Sequence, residues 1–429
     1  MSAFWSTLII FITLFSGVRI SFAETLTWKE CIQEASRSNP EIKSATQNMK
    51  AARFQKDSAF AGFLPKISGN GTYSHGNHSG TTLGSTGSTT SIISSSSGHD
   101  LYSISANAQQ NIFSGFRDVA KVSEGKANEN ISKADLQAAK AKVSFDLKSA
   151  FSDLKYAQNS LKLTQDIMKR RSDNRNLVQL RFESGRENKG SLALSNAYWQ
   201  QSKFDYLQAS HTLETSQSNL ARVLGRSQST DLQITGDIPL SQPQELKDLD
   251  ALSMQTPDYL RTVGQKKAAK ALVKSSWANF FPTVDGTASV GRQDDHWIPE
   301  QNRWTVGLNV SIPIFSGGQN YFNLKSSKAK LLSSEYTRQN TSNTVKTNLT
   351  KSYRTYLESV QKLETDRAFL EAASIRAEIA RQKYDNGLIS FEDWDIIEND
   401  LIARQKTFYK VNVNEWSLKL LGNNLKAKE

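Results

Sequence analysis

One cysteine in 429 residues leaves this chain unable to form an internal disulfide. Histidine is also scarce, at five. Three of them, His75, His78 and His99, share a Ser/Thr/Gly-rich stretch with no cysteine and few carboxylates, so a solvated loop is expected there and no metal site. Past the first 23 residues no apolar run approaches the ~20 residues that a membrane-spanning helix needs, which excludes helical spans. Ser/His/Asp, metal-ligand and phosphate-loop constellations are missing in any supporting context, so neither an enzyme nor a bound cofactor is expected. Apolar residues are only 38% of the chain, and the mean hydropathy is −0.51. That is polar for a compact enzyme. The net charge of +11 is spread along helical stretches with no nucleic-acid motif, so no nucleic-acid partner is expected.

Residues 1–23 read as a signal peptide. An apolar run from Phe4 to Phe15 is followed by Ser21-Phe22-Ala23, with small residues at the cleavage positions. Cys31 is not preceded by the small apolar residues of a lipid-attachment site and reads as a buried helix residue.

What is present is alternation. Trp304, Val306, Leu308, Val310, Ile312 and Ile314 take every second position, with Thr305, Gly307, Asn309 and Ser311 between them. A period of two is a strand with one apolar face. Trp304, Val306, Leu308, Val310 and Ile312 are its lipid-facing residues if that face meets a membrane, and an aromatic at the strand end suits a membrane interface. The pattern occurs twice. Tyr102, Ile104, Ala106, Ala108 and Ile112 alternate likewise, and Ile-Phe-Ser-Gly follows at 112–115 as at 314–317, an offset of 202. Asn39-Pro40-Glu41 and Phe63-Leu64-Pro65 return as Thr256-Pro257-Asp258 and Phe280-Phe281-Pro282, an offset of 217. The first-half loop, Ser74 to Asp100, is therefore 15 residues longer. It reads as flexible, low-complexity surface.

Each strand pair precedes a long helix. Val143, Leu147, Ala150, Leu154, Ala157, Leu161, Thr164 and Met168 step alternately by four and three, and Val345, Leu349, Ser352, Tyr356, Ser359, Leu363, Asp366 and Leu370 repeat them. This is a heptad seam mixed with small and polar residues. Gly115 to Phe182 contains no proline and would form a helix of about 100 Å. Arg181-Phe182-Glu183-Ser184-Gly185 and Lys383-Tyr384-Asp385-Asn386-Gly387 end the two helices in matched turns. The spacing thus predicts a first repeat over 24–225 with strands near 67–73 and 102–113, a long helix 115–182 and a return helix 191–224. A linker, 226–244, leads to a second repeat over 245–429, with a helix 257–280, strands near 284–290 and 304–315, a long helix 317–384 and a return helix 390–421.

Four strands cannot close. In lipid an open edge leaves backbone groups unpaired at several kcal/mol each, and closure needs at least about eight strands. Several chains must share one barrel, and three chains of four strands make a barrel of twelve. A competing reading is a barrel-anchored, trimeric coiled-coil adhesive or structural surface protein. The duplication speaks against it, since a fibre needs only one strand–helix unit.

The arrangement resembles the TolC-like outer-membrane factors of bacterial efflux and type I secretion. The resemblance rests on Leu26-Thr27-Trp28 leading to Asn39-Pro40-Glu41, on Phe63-Leu64-Pro65, on the doubled Ile-Phe-Ser-Gly, on Arg181-Phe182 with Gly185, and on Tyr384 with Gly387 and Asp393. It implies an α+β membrane protein in the outer membrane. In it, a homotrimeric β-barrel of twelve strands continues into a long periplasmic α-helical barrel. It also implies export of substrates passed on by an inner-membrane transporter through a periplasmic adaptor, for drug or toxic-compound efflux or type I protein secretion. The loops 74–100 and 291–303 would then be extracellular. The turn residues Gly185, Gly387, Leu388 and Ser390 would dock the adaptor, or the glycines simply end helices. In the family an aspartate ring narrows the periplasmic entrance. Its first position is Asp393, its second is Ile396 here, and Glu392 or Asp395 would compensate only if the helix were rotated. Tyr384 matches a gate tyrosine, whereas the family's arginine is Ile389. The bland alternative is that three acids at a helix start only complement its dipole.

Overall fold

Alternation along one strand becomes a two-faced sheet once its neighbours are in register. The computed structural model describes residues 24–86, 89–227, 231–236 and 248–418. The signal-peptide reading of 1–23, the side chains of His78 and His99, and the end of the last helix lie outside the described residues. Four strands form one antiparallel sheet in the order β2 (Lys66–Thr86), β3 (Thr89–Phe113), β5 (Thr283–Asp294), β6 (Asn302–Ser311). Directly opposite residues share a face. Trp304 lies opposite Val290, which lies opposite Ala106; Val306 aligns with Ala288, Ala108 and Ile67 in the same way. The other face carries Thr305, Ser289, Asn107 and Ser68, then Asn309, Asp285 and Asn111.

Two details differ from the sequence reading. The Ser/Thr/Gly-rich stretch after Ser74 is not a loop: its ladder runs unbroken from Lys66↔Gln109 to Thr86↔Thr89. Backbone pairing does not depend on an apolar face, so polar side chains hid the strands. At the other end β6 stops at Ser311, because Pro313 has no N–H to continue a ladder. Ile312 therefore stands one residue past the strand.

The chain divides into two compact units that cut across the two repeats. One combines the sheet with the α2 helix (Pro40–Ala59) from Thr46 on, α6 (Pro257–Ala278), the first part of α3 (Arg117–Glu183) and that of α7 (Gln319–Asp385). Thr256 caps α6 by accepting from the Tyr259 N–H, with Pro257 at the first helical position.

The other unit holds the remainder of α3 and α7 with α1 (Trp28–Ser38), α4 (Lys189–Leu224), α5 (Leu249–Met254) as far as Ser253, and α8 (Phe391–Leu418). Thr27 and Glu30 form a capping box, so α1 starts at Trp28, and Glu24–Leu26 is the short strand β1. The expected irregular linker contains β4 (Leu232–Ile234), which pairs in parallel with β1. Leu26, Leu232 and Ile234 then pack into one core with Leu147, Phe151, Leu154, Leu220 and Leu224. The seam of α3 is the buried stripe: Val143, Leu147, Ala150, Leu154 and Ala157 are all at most 4% exposed. Gly225 ends α4 at φ +85°, where a Cβ would stand 2.6 Å from the Ser38 carbonyl oxygen.

Cys31 lies in this core, fully buried. Burial pushes its thiol up to about 12. Water-soluble maleimide is expected to leave Cys31 unlabelled in the native protein and to label it fully in denaturant. Rapid native labelling would show that α1 does not dock here.

Candidate functional site

Two places are candidates for a role beyond folding: the ends of α3 and α7, and the apolar face of the sheet.

Both long helices end identically. The Arg186 N–H bonds back to the Arg181 carbonyl at 2.8 Å and Gly185 to Phe182 at 3.0 Å; Leu388 bonds to Lys383 at 2.8 Å and Gly387 to Tyr384 at 2.9 Å. This double bond pattern needs a left-handed residue, and Gly185 and Gly387 sit at φ +70° and +74°. Neither glycine has an atom within 4 Å of a built Cβ, so the turns are open to solvent. Leu388 is 71% exposed at the tip.

Tyr384 is fully buried just behind that turn. Trp394 stacks on its ring at 4.4 Å with planes 11° apart, and the Arg181 guanidinium lies over the ring at 4.2 Å. Its hydroxyl donates to Glu187 Oε2 at 3.0 Å. Burial first, and then that carboxylate, hold the phenol well above the usual tyrosine range. Arg181 also donates to the carbonyls of Tyr384 and Asp385, closing the end of α7. Phe391 and Val178 complete the cluster. One tyrosine thus joins the ends of α3 and α7 to the starts of α4 and α8.

The three acids behave differently. Asp393 is exposed. Its Oδ2 accepts from Ser390 Oγ at 2.9 Å while Ser390 Oγ accepts from the Asp393 N–H at 3.1 Å. Ser390 is therefore the cap of α8, and Asp393 its reciprocal partner. Glu392 is exposed as well. Asp395 turns inward: it is buried, accepts from Asn399 Nδ2 at 2.9 Å, and stands 3.4 Å from Arg171 Nη1. Arg171 in turn lies over the Tyr198 ring, and its neighbour Arg170 meets Glu398 at 2.7 Å. A 100° step per residue places Asp395 on the packed face and Asp393 and Ile396 on the open one. Asp395 thus lies on the packed face, and Ile396 is 67% exposed. Sequence reasoning missed Trp394, Glu187 and Arg171. The signal for Trp394 was present in its i, i+3 spacing from Phe391; no local pattern marked Glu187 or Arg171.

On the sheet, Ile67, Ile104, Val290, Trp304, Val306, Leu308 and Val310 are each between 53% and 77% exposed, all on one face. Rings bracket it. Tyr73, Tyr102 and Trp297 contact one another in sequence at 4.9 and 5.6 Å near one end, and Phe113, Phe116 and Phe281 at 5.3 and 6.1 Å near the other. No helix among the described residues is long and apolar enough to cross a membrane. The apolar surface belongs to strands.

A family model described as outer membrane efflux protein matches residues 31–226 and 255–411. The chain belongs to that family. Its place is accordingly the outer membrane. A curated relative from Salmonella typhimurium, named "probable outer membrane lipoprotein SilC", is 27% identical over 190 residues, which are 42% of this chain and 40% of that protein. A membrane protein from Pseudomonas aeruginosa aligns at TM-score 0.83 and 17% identity over 94% of this efflux-family chain and 91% of its own. The Campylobacter jejuni CmeC outer membrane channel aligns at 0.79 and 16% identity, over 92% and 84%. At such identities the likeness shows the fold.

Proposed function

We propose that the protein is the outer-membrane component of an export system: three chains form a channel that carries cargo handed on by an inner-membrane transporter through a periplasmic adaptor. The cargo route is drug or toxic-compound efflux or type I protein secretion. The single observation that carries this reading is the two-faced sheet with its outer strands, β2 and β6, each paired on one side only. An apolar face belongs in lipid, and unpaired edges in lipid cost several kcal/mol per group. Pairing β6 of one copy with β2 of the next removes both edges, and twelve strands close. The polar face then lines water. Tyr102 and Phe113 lie eleven residues apart on β3, about 36 Å along the strand or about 28 Å at the usual ~40° tilt, which matches the apolar band of such barrels. The helices lie on the periplasmic side, and the far ends of β2 and β3 and the β5–β6 connection on the outer side.

The helix tips close the periplasmic end. Threefold symmetry brings three exposed Asp393 carboxylates near one axis, where they repel one another and hold a cation. Purified protein in planar bilayers is expected to give discrete, cation-selective openings blocked by multivalent cations from the periplasmic side. Asp393→Asn keeps an oxygen for the Ser390 contact, so the trimer is expected to survive while the block weakens. Unchanged block would place the constriction at Glu392 or elsewhere; absence of any conductance would refute the channel.

Leu388, with Gly185, Gly387 and Ser390 around it, presents the surface for the adaptor's helical tips. Leu388→Asp leaves the backbone bond to Lys383 intact, so the turn is expected to keep its shape while export and adaptor crosslinking fall about tenfold, the loss of one well-buried apolar anchor. Undiminished crosslinking would mean that the turn only ends a helix.

A further inference from the structure

Just past the phenylalanine ring of the sheet, lysine accumulates without counter-charge. The last twelve residues of α6 (267–278) contain Lys267, Lys270 and Lys274; the first twelve of α7 (319–330) contain Lys325, Lys328 and Lys330; neither stretch has an Asp or Glu. All six are exposed. Among the described residues none of the six has a carboxylate partner. Their neighbours behave otherwise. Lys266 meets Glu335 at 2.6 Å, and Lys56 meets Glu129 at 3.0 Å. The opposite end of the same sheet carries Asp100, Asp294, Asp295 and Glu300 against Arg292 and Arg303. The positive excess is therefore confined to the helical end.

These lysines sit with interfacial rings. Lys328 Nζ is 5.5 Å from the centre of the Trp277 ring, and Lys325 Nζ is 4.7 Å from that of Tyr321. Both rings are themselves about half exposed, at 45% and 50%. Tyr321, Lys325 and Lys328 occupy one helix face at steps of four and three. Side chains on a helix lean toward its N-terminus, and α7 starts at the sheet, so Lys325 and Lys328 reach back toward the apolar face. Trp and Tyr beside Lys at the rim of an apolar band is the composition of a headgroup layer.

We infer that this lysine collar binds the phosphates of anionic phospholipid headgroups in the leaflet on the helical side of the sheet. The inference rests on the barrel reading above. Twelve helical residues span about 18 Å. Headgroups add roughly 5–8 Å beyond the hydrocarbon, and the surface potential reaches a further ~8 Å at physiological salt. Lys270, Lys274, Lys325 and Lys328, at most about 14 Å from the sheet-side ends of their helices, fall within that zone, and Lys267 and Lys330, at about 16–17 Å, stand at its outer edge. Each cation held there strengthens association with an anionic surface about fivefold. The collar fixes the depth of the barrel from the periplasmic side and selects the lipid beside it.

The test uses the full chain reconstituted in phosphatidylcholine vesicles with trace spin-labelled phosphatidylglycerol or spin-labelled phosphatidylcholine. The wild type is expected to hold phosphatidylglycerol about fivefold more strongly at low salt, and to lose that preference near 0.5 M salt, where screening is almost complete. The triple variant K325Q/K328Q/K330Q is expected to insert normally with a preference near one. The variant K162Q/K351Q/K383Q, with the same charge change far down the helices, is expected to keep the preference. Normal insertion without lipid preference in the wild type overturns the collar and leaves the barrel standing. Equal loss in both triple variants overturns it too, because location would then not matter. Failure of every form to insert sinks the barrel reading and the collar together.

Discussion

Leu308→Arg is expected to cost about 2–4 kcal/mol of barrel stability, whereas Asn309→Arg, one residue on, is expected to cost well under 1 kcal/mol. The two positions differ only in face. Leu308 is 65% exposed on the row that includes Val306 and Trp304, and it lies opposite Gly286, so no side chain across the strand covers it. Asn309 lies opposite Asp285 on the polar row, where arginine meets water and a carboxylate. A guanidinium carried into hydrocarbon loses its hydration and must snorkel or thin the bilayer. Reversible unfolding in detergent or lipid, read by the heat-modified mobility of the folded protein, measures the difference. Equal losses at the two sites would refute the two-faced strand, and with it the closure argument.

Tyr384→Ala is expected to have the largest effect at the periplasmic end: about 3–5 kcal/mol of local stability at the tip, and a channel that stays open. The ring fills the space between Trp394 and Arg181, and its removal leaves an unfilled cavity under the turn. Tyr384→Phe keeps the stack and loses only the hydroxyl bond to Glu187, a loss of about 1.5–3 kcal/mol because the acceptor is charged. Hydrogen exchange over 380–395 gives the stability, and bilayer conductance gives the gate. A stable, closed Tyr384→Ala channel would remove Tyr384 from the gate. A pH signature accompanies it. The folded phenol is held above its ordinary value, so its stabilisation is complete below pH ~10 and is lost as pH climbs from there toward the folded value. Tyr384→Phe is expected to abolish that alkaline loss of protection at the tip.

Most of the architecture was legible without coordinates, because its signals are periodic and doubled. The period of two at 304–310 names the apolar face of the sheet residue by residue, and the heptad at 143–157 names the buried stripe. The repeat offsets fixed which turn matches which. Ser74 onward was not legible as strand, because hydroxyl side chains carry no face and only the backbone ladder decides. β4 was equally hidden. Three residues hold too little pattern, and they become a strand because β1, more than 200 residues earlier, lies alongside.

At the tips the division is sharper. The sequence alone determined that Gly185 and Gly387 end helices, since positive φ is a local steric matter. It determined that Asp393 stands near a helix start, since capping reaches only three residues. Tertiary structure decided the roles of the acids. Asp395 is two residues from Asp393 and chemically the same, yet it is buried beside Arg171, 224 positions away in the chain, while Asp393 stays in solvent. It also decided that Tyr384 is a packed hub between Trp394 and Arg181. Helical phase is local and was readable; which neighbour occupies each face depends on four helix ends meeting in space, and no window of the sequence contains all four.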